Sequence, residues 1–208
     1  MAKKTEAKIG LFGGGFDPAG LHHRTIANVA RRYLDRVIVI PSGIRADKEG
    51  GYHTANIHRA RMAEMTFRDL PDTEVDLFDI HNETFMPSVE LEKRYRDEGE
   101  IWHIVGSDWI IGGREGRSVI QETWQQGRKL WQNSRFMVIQ RSVFPVRAID
   151  LPPCHGVFML DLRGSSSEIR ERVANGLSVS GLVVLDVERY IRENGLYLKN
   201  SEKKEEAE

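Results

Sequence analysis

The sequence predicts an α/β protein built on a mainly parallel, doubly wound sheet with helices on both faces. Short apolar runs of strand length alternate along the chain with segments whose apolar residues recur at helical spacing. This alternation is typical of βαβ crossovers, which make neighbouring strands parallel. No repeat and no linker divides the 208 residues, so we expect one domain over 8–200, between a short polar segment at 1–7 and a charged tail at 201–208.

The individual elements follow from their apolar patterns and from the residues that end them. Strands are predicted at 9–12, 36–41, 74–80, 100–106, 135–140 and 157–162. Helices are predicted at 21–33, 57–67, 89–96, 128–133, 168–174 and 187–193. The fold is therefore expected to be Rossmann-like, and ligands of such sheets lie at the carboxyl ends of the strands. Four loops should converge there, at 13–23, 41–48, 106–108 and 163–170.

Composition excludes several classes of function. Apolar residues make up 40% of the chain and charged residues 29%, as in ordinary globular proteins. The net charge of −1 provides no general basic field for nucleic acid. No apolar run approaches the roughly 18 residues of a bilayer span, and no signal core is present, so no membrane partner is expected. Cys154 is the only cysteine, which excludes an internal disulfide and favours a reducing cytoplasm.

The segment 8–23, KIGLFGGGFDPAGLHH, carries the strongest functional signal. Its three glycines at 13–15 lack a Cβ, so their backbone N–H groups can approach a ligand closely. His22 and His23 follow at a helix start, where free N–H groups favour an anion. A tight turn and helix capping would also explain these residues. Together they predict a phosphate site, in which the two histidines differ in role because adjacent helical residues point about 100° apart.

The segment 163–170, RGSSSEIR, forms a second candidate phosphate element. Ser165 with Glu168 fits a capping box, which is the simplest structural explanation. Three hydroxyls and the free N–H groups of a helix start also suit a polyphosphate. Arg170 in the first helical turn opposes the helix dipole, so its placement favours binding of an anion through its bidentate fork.

The other candidates have weaker signals. Asp108, at the end of a buried strand, either caps a helix or contacts a ribose hydroxyl or hydrated metal ion. Trp124 either covers the edge of the core or stacks on a flat heteroaromatic ring. Lys48, in a polar loop at 45–53, is either a solvated lysine or a phosphate clamp. The remaining histidines show no metal-ligand spacing, so no protein-bound metal is expected: His53, His58, His81, His103 and His155.

Taken in order, these motifs resemble the nicotinate-nucleotide adenylyltransferase family of the nucleotidyltransferase superfamily. GGGFDP at 13–18 is similar to the family's GG-x-FDP, and His23 falls on the last histidine of its HxGH. SSSEIR at 165–170 is similar to its ISST-x-IR signature. Shorter matches, which carry the resemblance from about 8 to 197, are PSG at 41–43, IVGSD at 104–108, TW at 123–124 and VERYIRENGLY at 187–197.

The resemblance implies transfer of AMP from ATP to a pyridine mononucleotide with release of pyrophosphate, in NAD biosynthesis. ATP, accompanied by Mg²⁺, and the mononucleotide are the expected partners, and assembly into a homo-oligomer stays open. The implied catalytic residues are His23, Arg170 and, as a substitute for a missing histidine, His22. The implied ATP-binding residues are Gly14, Gly15, Phe16, His23, Gly106, Asp108, Ser165, Ser166 and Arg170. The implied mononucleotide-binding residues are Ser42, Lys48, Ser88 and Trp124.

The chain departs from the family at HxGH, which here reads Gly20-Leu21-His22-His23. Loss of one of the two imidazoles that hold the ATP phosphates in the family would cost roughly 10²–10³ in rate. Gly15 stands where the family often has Thr, and Ser88 lies in a region that differs from its YT-x-DT pattern. Three functions therefore stay open: a pyridine mononucleotide adenylyltransferase, an adenylyltransferase for another phosphorylated acceptor, and a nucleotide-binding homologue with impaired catalysis.

Overall fold

A computed structural model describes residues 6–44, 52–140 and 144–199, and over these residues it confirms the α/β architecture. The strands are β1 (Lys8–Gly14), β2 (Arg36–Pro41), β3 (Thr73–Val75), β4 (Glu100–Gly106), β5 (Arg135–Gln140) and β6 (His155–Met159). The α-helices are α1 (Leu21–Ala30), α2 (Asn56–Phe67), α3 (Phe78–His81), α4 (Ser88–Tyr95), α5 (Val119–Thr123), α6 (Gly127–Asn133), α7 (Ser166–Ala174) and α8 (Leu185–Glu193). Within the described ranges, no helix combines the length and apolar character needed to cross a bilayer.

The chain forms two compact units, each assembled from three segments. The first unit comprises Met1–Gly13, Ile26–Ile40 and Met86–Leu162, and the second comprises Gly14–Thr25, Pro41–Phe85 and Arg163–Glu208. Five of the six strands of the sheet, in the order β2-β1-β4-β5-β6, lie almost wholly in the first unit. The pairs β1·β4, β4·β5 and β5·β6 are parallel, as the alternating pattern predicts.

The sheet of the first unit is covered on both faces. On one face, Ile9 and Leu11 of β1 pack in a buried cluster with Leu91 and Tyr95 of α4. Gly10 points to the opposite face, because side chains alternate along a strand. A Cβ at Gly10 would come within 2.6 Å of the Leu34 Cδ1 atom, so the segment after α1 approaches the strand closely on that side.

The second unit has its own apolar core. Met62 of α2 and Ile169 of α7 are fully buried, and both pack with Val187 and Ile191 of α8. Val187 and Ile191 are four positions apart on α8, so this helix turns one apolar stripe toward the core. This core fixes the start of α7, which carries the second predicted phosphate element.

Two strand predictions are wrong in their extent. The segment 74–80 forms only the short strand β3, because the Asp76 carboxylate accepts the N–H of Phe78 at 2.9 Å and helix α3 begins there. The strand predicted at 157–162 lies at His155–Met159, where it pairs in register with β5. The sequence prediction also missed α5, which Ser118 and Gln121 open with a capping box.

Candidate functional site

The glycine-rich turn at the end of β1 is anchored by side chains of the second unit. The carbonyl of Gly14 accepts the N–H of Ser42 at 3.0 Å and its hydroxyl at 3.3 Å. Phe16 has a left-handed backbone with φ 47°, which is rare for an aromatic residue. Its buried ring packs edge-on against His23 at 4.9 Å and against Phe67 at 5.8 Å. Phe16 can therefore contribute only its backbone to a ligand at this turn.

The two histidines after the turn have different environments. The Nδ1 atom of half-buried His23 accepts the N–H of Gly20 at 3.2 Å, so a neutral ring carries its proton on Nε2 and presents a donor. His22 is 3% exposed, and its ring centroid lies 3.8 Å from that of His23. A Cβ built on Gly20 would lie 2.8 Å from the Cε1 and Nδ1 atoms of His22. The His22 ring thus fills the space that a side chain at position 20 would enter.

The start of α7 is capped as predicted and is tied to the glycine-rich turn. The Ser165 hydroxyl accepts the N–H of Glu168 at 3.1 Å, which satisfies one free donor of the helix end. The next hydroxyl, that of Ser166, donates to the carbonyl of Pro18 at 2.9 Å. Helix capping and a hydrogen bond to the segment after the glycine-rich turn therefore occur at neighbouring serines.

Asp17 accepts hydrogen bonds from three residues of the second unit that are distant from it in sequence. Its carbonyl accepts an Nη1–H of Arg170 at 2.6 Å, and Arg170 also donates to the Ser167 hydroxyl at 3.1 Å. Its carboxylate accepts the hydroxyl of Tyr197 at 2.7 Å and the backbone N–H of His53 at 2.7 Å. Burial first, and then the negative charge of Asp17, raise the pKa of Tyr197 well above its usual value. Tyr197 therefore stays a neutral donor.

Arg59 is a buried cation that the sequence prediction missed. It is 0% exposed, and it donates to the carbonyls of Gly15 at 2.9 Å and Gly43 at 3.2 Å. Its guanidinium lies 3.5 Å from the ring centroid of Tyr52, whose hydroxyl bonds to that of Ser42. Burial lowers the pKa of Arg59, although the nearby Tyr52 counters this. An arginine on the stripe of α2 that also carries buried Ala60 and Ala63 was the available signal.

The remaining predicted site residues that the structure describes lie partly in the first unit and partly in the second. Gly106 ends β4 in the first unit and exposed Asp108 follows it, and the Asp108 carboxylate fills the space that a Cβ on Gly106 would need. Ser88 opens α4 in the same unit. Ser42 is buried in the second unit, whereas Lys48 lies outside the described residues. The described parts of three predicted loops, 14–23, 41–44 and 163–170, thus lie in the second unit, whereas the loop 106–108 lies in the first.

Trp124 is held by aromatic neighbours of the first unit. Its ring lies 5.5 Å from that of His103 and 5.8 Å from that of Trp109, in both cases edge-on. His103 in turn donates to the Glu92 carboxylate at 2.9 Å. Burial raises the pKa of Glu92, but the hydrogen bonds from His103 and Ser134 outweigh it, and the net shift is downward. The bond to Glu92 holds the His103 ring in place, and the His103 and Trp109 rings together restrict the orientation of Trp124.

Over the part of the chain that the structure describes, no three His, Cys, Asp or Glu side chains are grouped so that they could hold a metal ion. The expected Mg²⁺ stays a prediction, and it concerns an ion that arrives with ATP as part of the substrate.

Comparison with known proteins agrees with this geometry. The cytidylyltransferase-like family model matches residues 11–172, which defines the chain as a nucleotidyltransferase. A probable nicotinate-nucleotide adenylyltransferase of Gemmatimonas aurantiaca is 31% identical, over 91% of this chain and 92% of its own. One of Methylacidiphilum infernorum is 29% identical, over 96% and 97%. The chain belongs to the nicotinate-nucleotide adenylyltransferase family.

A solved structure shows the same fold. The nicotinic acid mononucleotide adenylyltransferase of Plasmodium falciparum, complexed with NaAD, superposes with a TM-score of 0.71. The match covers 92% of this chain and 97% of that one at 19% identity, which confirms the Rossmann-like architecture.

Proposed function

We propose that the protein transfers AMP from ATP to nicotinate mononucleotide, or to its nicotinamide counterpart, and releases pyrophosphate, as a step of NAD biosynthesis. One observation carries the proposal. The hydrogen bonds of Ser166 and Arg170 to the carbonyls of Pro18 and Asp17 join the two segments, about 150 positions apart, that the sequence predicts to bind phosphate. Membership of the nicotinate-nucleotide adenylyltransferase family supports the same reaction.

The ATP phosphates are assigned to donors of the second unit. The backbone N–H groups of 14–16 and the Nε2–H of His23 lie on one element. Ser165 accepts a hydrogen bond from the helix, so its own O–H proton remains to be donated, whereas Ser166 donates its proton to Pro18. A guanidinium has five N–H donors, and the two bonds of Arg170 leave others for a phosphate oxygen.

The proposed reaction is an in-line displacement at the α-phosphorus of ATP. A phosphate oxygen of the mononucleotide attacks, the bond to the bridging oxygen breaks, and pyrophosphate leaves. The protein supplies no nucleophile, so its contribution is to orient two anions and to stabilise the developing charge. Mg²⁺ would enter as the metal complex of ATP and shield the phosphate charges. Gly106 and Asp108 keep their predicted roles toward adenosine on the basis of the resemblance.

Trp124 is proposed to stack on the pyridine ring, and Ser42, Lys48 and Ser88 are proposed to bind the mononucleotide. Nicotinate mononucleotide and its nicotinamide counterpart are both retained as acceptors, and assembly into a homo-oligomer stays open. The cytoplasm is proposed as the location, on the cysteine content.

Pyrophosphate release from ATP tests the reaction directly. Parallel assays contain nicotinate mononucleotide, nicotinamide mononucleotide, pantetheine phosphate or no acceptor. Stimulation by a pyridine mononucleotide that is lost in W124A supports the proposal. Stimulation by pantetheine phosphate alone, unaffected by W124A, indicates another acceptor. Binding of ATP without release under any condition identifies a nucleotide-binding homologue and contradicts the proposed reaction.

A further inference from the structure

We propose that Gly20 and His22 are a matched pair, in which His22 is a positioning residue that occupies the space left by the absent side chain at position 20 and holds His23 toward the nucleotide phosphates. The inference rests on the proposed function only in naming ATP as the ligand. It replaces the expectation that Gly20 simply removes an imidazole from the site.

The first step is that positions 20 and 22 share one side-chain volume. A Cβ on residue 20 would lie 2.8 Å from two ring atoms of His22 and 2.9 Å from the Cδ1 atom of Ile169. Both distances are shorter than carbon contacts allow, and His22 and Ile169 are buried at 3% and 0% exposure. Any side chain at position 20 must therefore displace the His22 ring.

The second step is that His22 contacts His23 and contributes to the placement of its ring. The ring of His23 contacts that of His22, 3.8 Å away at 42°, and that of Phe16, 4.9 Å away at 66°. The Gly20 N–H binds its Nδ1 atom at 3.2 Å. Three contacts thus restrict the His23 ring and fix its Nε2 atom as the donor. His22 is too deeply buried for a direct contact with a ligand at this turn, so it acts through His23.

The third step concerns what this pairing does for catalysis. A donor that is already oriented stabilises a phosphate without reorganisation, and a misplacement of about 1 Å can cost about 10²-fold in rate. With His22 in place, glycine is the residue that position 20 requires. Restoring a histidine at position 20 alone should therefore weaken the site.

A swap cycle tests the pairing. ATP affinity is measured by calorimetry, without any acceptor, for the parent, G20H, H22G and the double variant G20H/H22G. Thermal unfolding confirms that each protein is folded at the assay temperature. H81G provides the matched His→Gly control, because His81 is exposed at the end of α3. G20A, which keeps both histidines and adds only a methyl group, serves if H22G does not fold.

We expect roughly a tenfold or greater loss of ATP affinity in G20H and in H22G, a smaller loss in G20A, recovery to within about threefold in the double variant, and no change in H81G. The inference is overturned if G20H or H22G matches the parent, if G20A does so where it replaces H22G, or if the two single losses simply add in the double variant. A parent that binds ATP but releases no pyrophosphate contradicts the proposed reaction alone, and the cycle still decides the pairing.

Discussion

Replacement of Arg59 by methionine should lower the free energy of unfolding by about 3–5 kcal/mol. The buried guanidinium donates to the carbonyls of Gly15 and Gly43, and a buried carbonyl that loses its donor costs about 1–3 kcal/mol. Loss of the contact with the Tyr52 ring, 3.5 Å away, adds about 1–2 kcal/mol. Part of this sum is offset because methionine does not require the dehydration of a charge, which burial of Arg59 does.

Urea unfolding at neutral pH measures this difference, and R61M is the matched control. Arg61 lies on the same helix, its side chain is 61% exposed, and it forms a surface ion pair with Glu64 at 3.3 Å. R61M should therefore change stability by less than about 0.5 kcal/mol. The loss of unfolding free energy in R59K should lie between those of R59M and R61M, because lysine keeps the charge but lacks the planar guanidinium that spans two carbonyls. Equal unfolding midpoints for R59M and R61M would refute the view that Arg59 clamps the glycine-rich turn.

Three further predictions follow from particular contacts. Y197F removes a donor from the Asp17 carboxylate and should cost about 1.5–3 kcal/mol in urea unfolding; a loss below 0.5 kcal/mol, on the order of a surface change, would contradict this. S165A should cost about 1 kcal/mol through loss of the helix cap and should also weaken ATP binding by calorimetry, whereas loss of stability alone would leave Ser165 a cap only. Burial raises the pKa of Glu92, but the hydrogen bonds from His103 and Ser134 outweigh burial and hold this pKa below its usual value in the folded state. Glu92 therefore stabilises the fold above its unfolded pKa of about 4.3, and this contribution disappears as the pH falls through the lower folded pKa. As the pH is lowered from neutral to below the pKa of free Glu, the free energy of unfolding should therefore fall less in E92Q than in the parent. Parallel plots of unfolding free energy against pH would contradict the assignment.

The sequence predicted the strands most reliably where apolar runs were buried on both faces. Strands β2 and β4 lie where they were expected, because Val37–Ile40 is apolar and buried throughout, and Ile101–Val105 is buried except at half-buried Trp102, with His103 as its one polar side chain. The strand prediction at 74–80 was wrong in extent because the alternating apolar residues there resemble a strand, whereas the Asp76 carboxylate accepts a backbone N–H and a helix begins. The offset of β6 had another cause, since its register is set by pairing with β5.

The candidate site shows the same division between local and distant information. The glycine-rich turn and the Ser165 cap could be predicted because each depends on residues adjacent in sequence. Arg59 and Tyr197 could not, because their roles come from bonds to residues 44 and 180 positions away. The substitution at Gly20 was interpreted as a loss for the same reason, since the sequence does not show that the His22 ring occupies the space that a Cβ at position 20 would need.

The charge balance around Asp17 is consistent with the proposed polyphosphate site in a chain of net charge −1. Arg59 and Arg170 both donate to carbonyls of the glycine-rich turn, at Gly15 and Asp17. The Asp17 carboxylate accepts instead from two neutral donors, the Tyr197 hydroxyl and a backbone N–H. The Asp17 carboxylate acts on Arg59 only through its charge, and the two guanidinium groups with this one carboxylate leave an excess of one positive charge beside the backbone N–H groups of the turn. A concentrated local charge of this kind attracts an anion even when the protein as a whole is close to neutral.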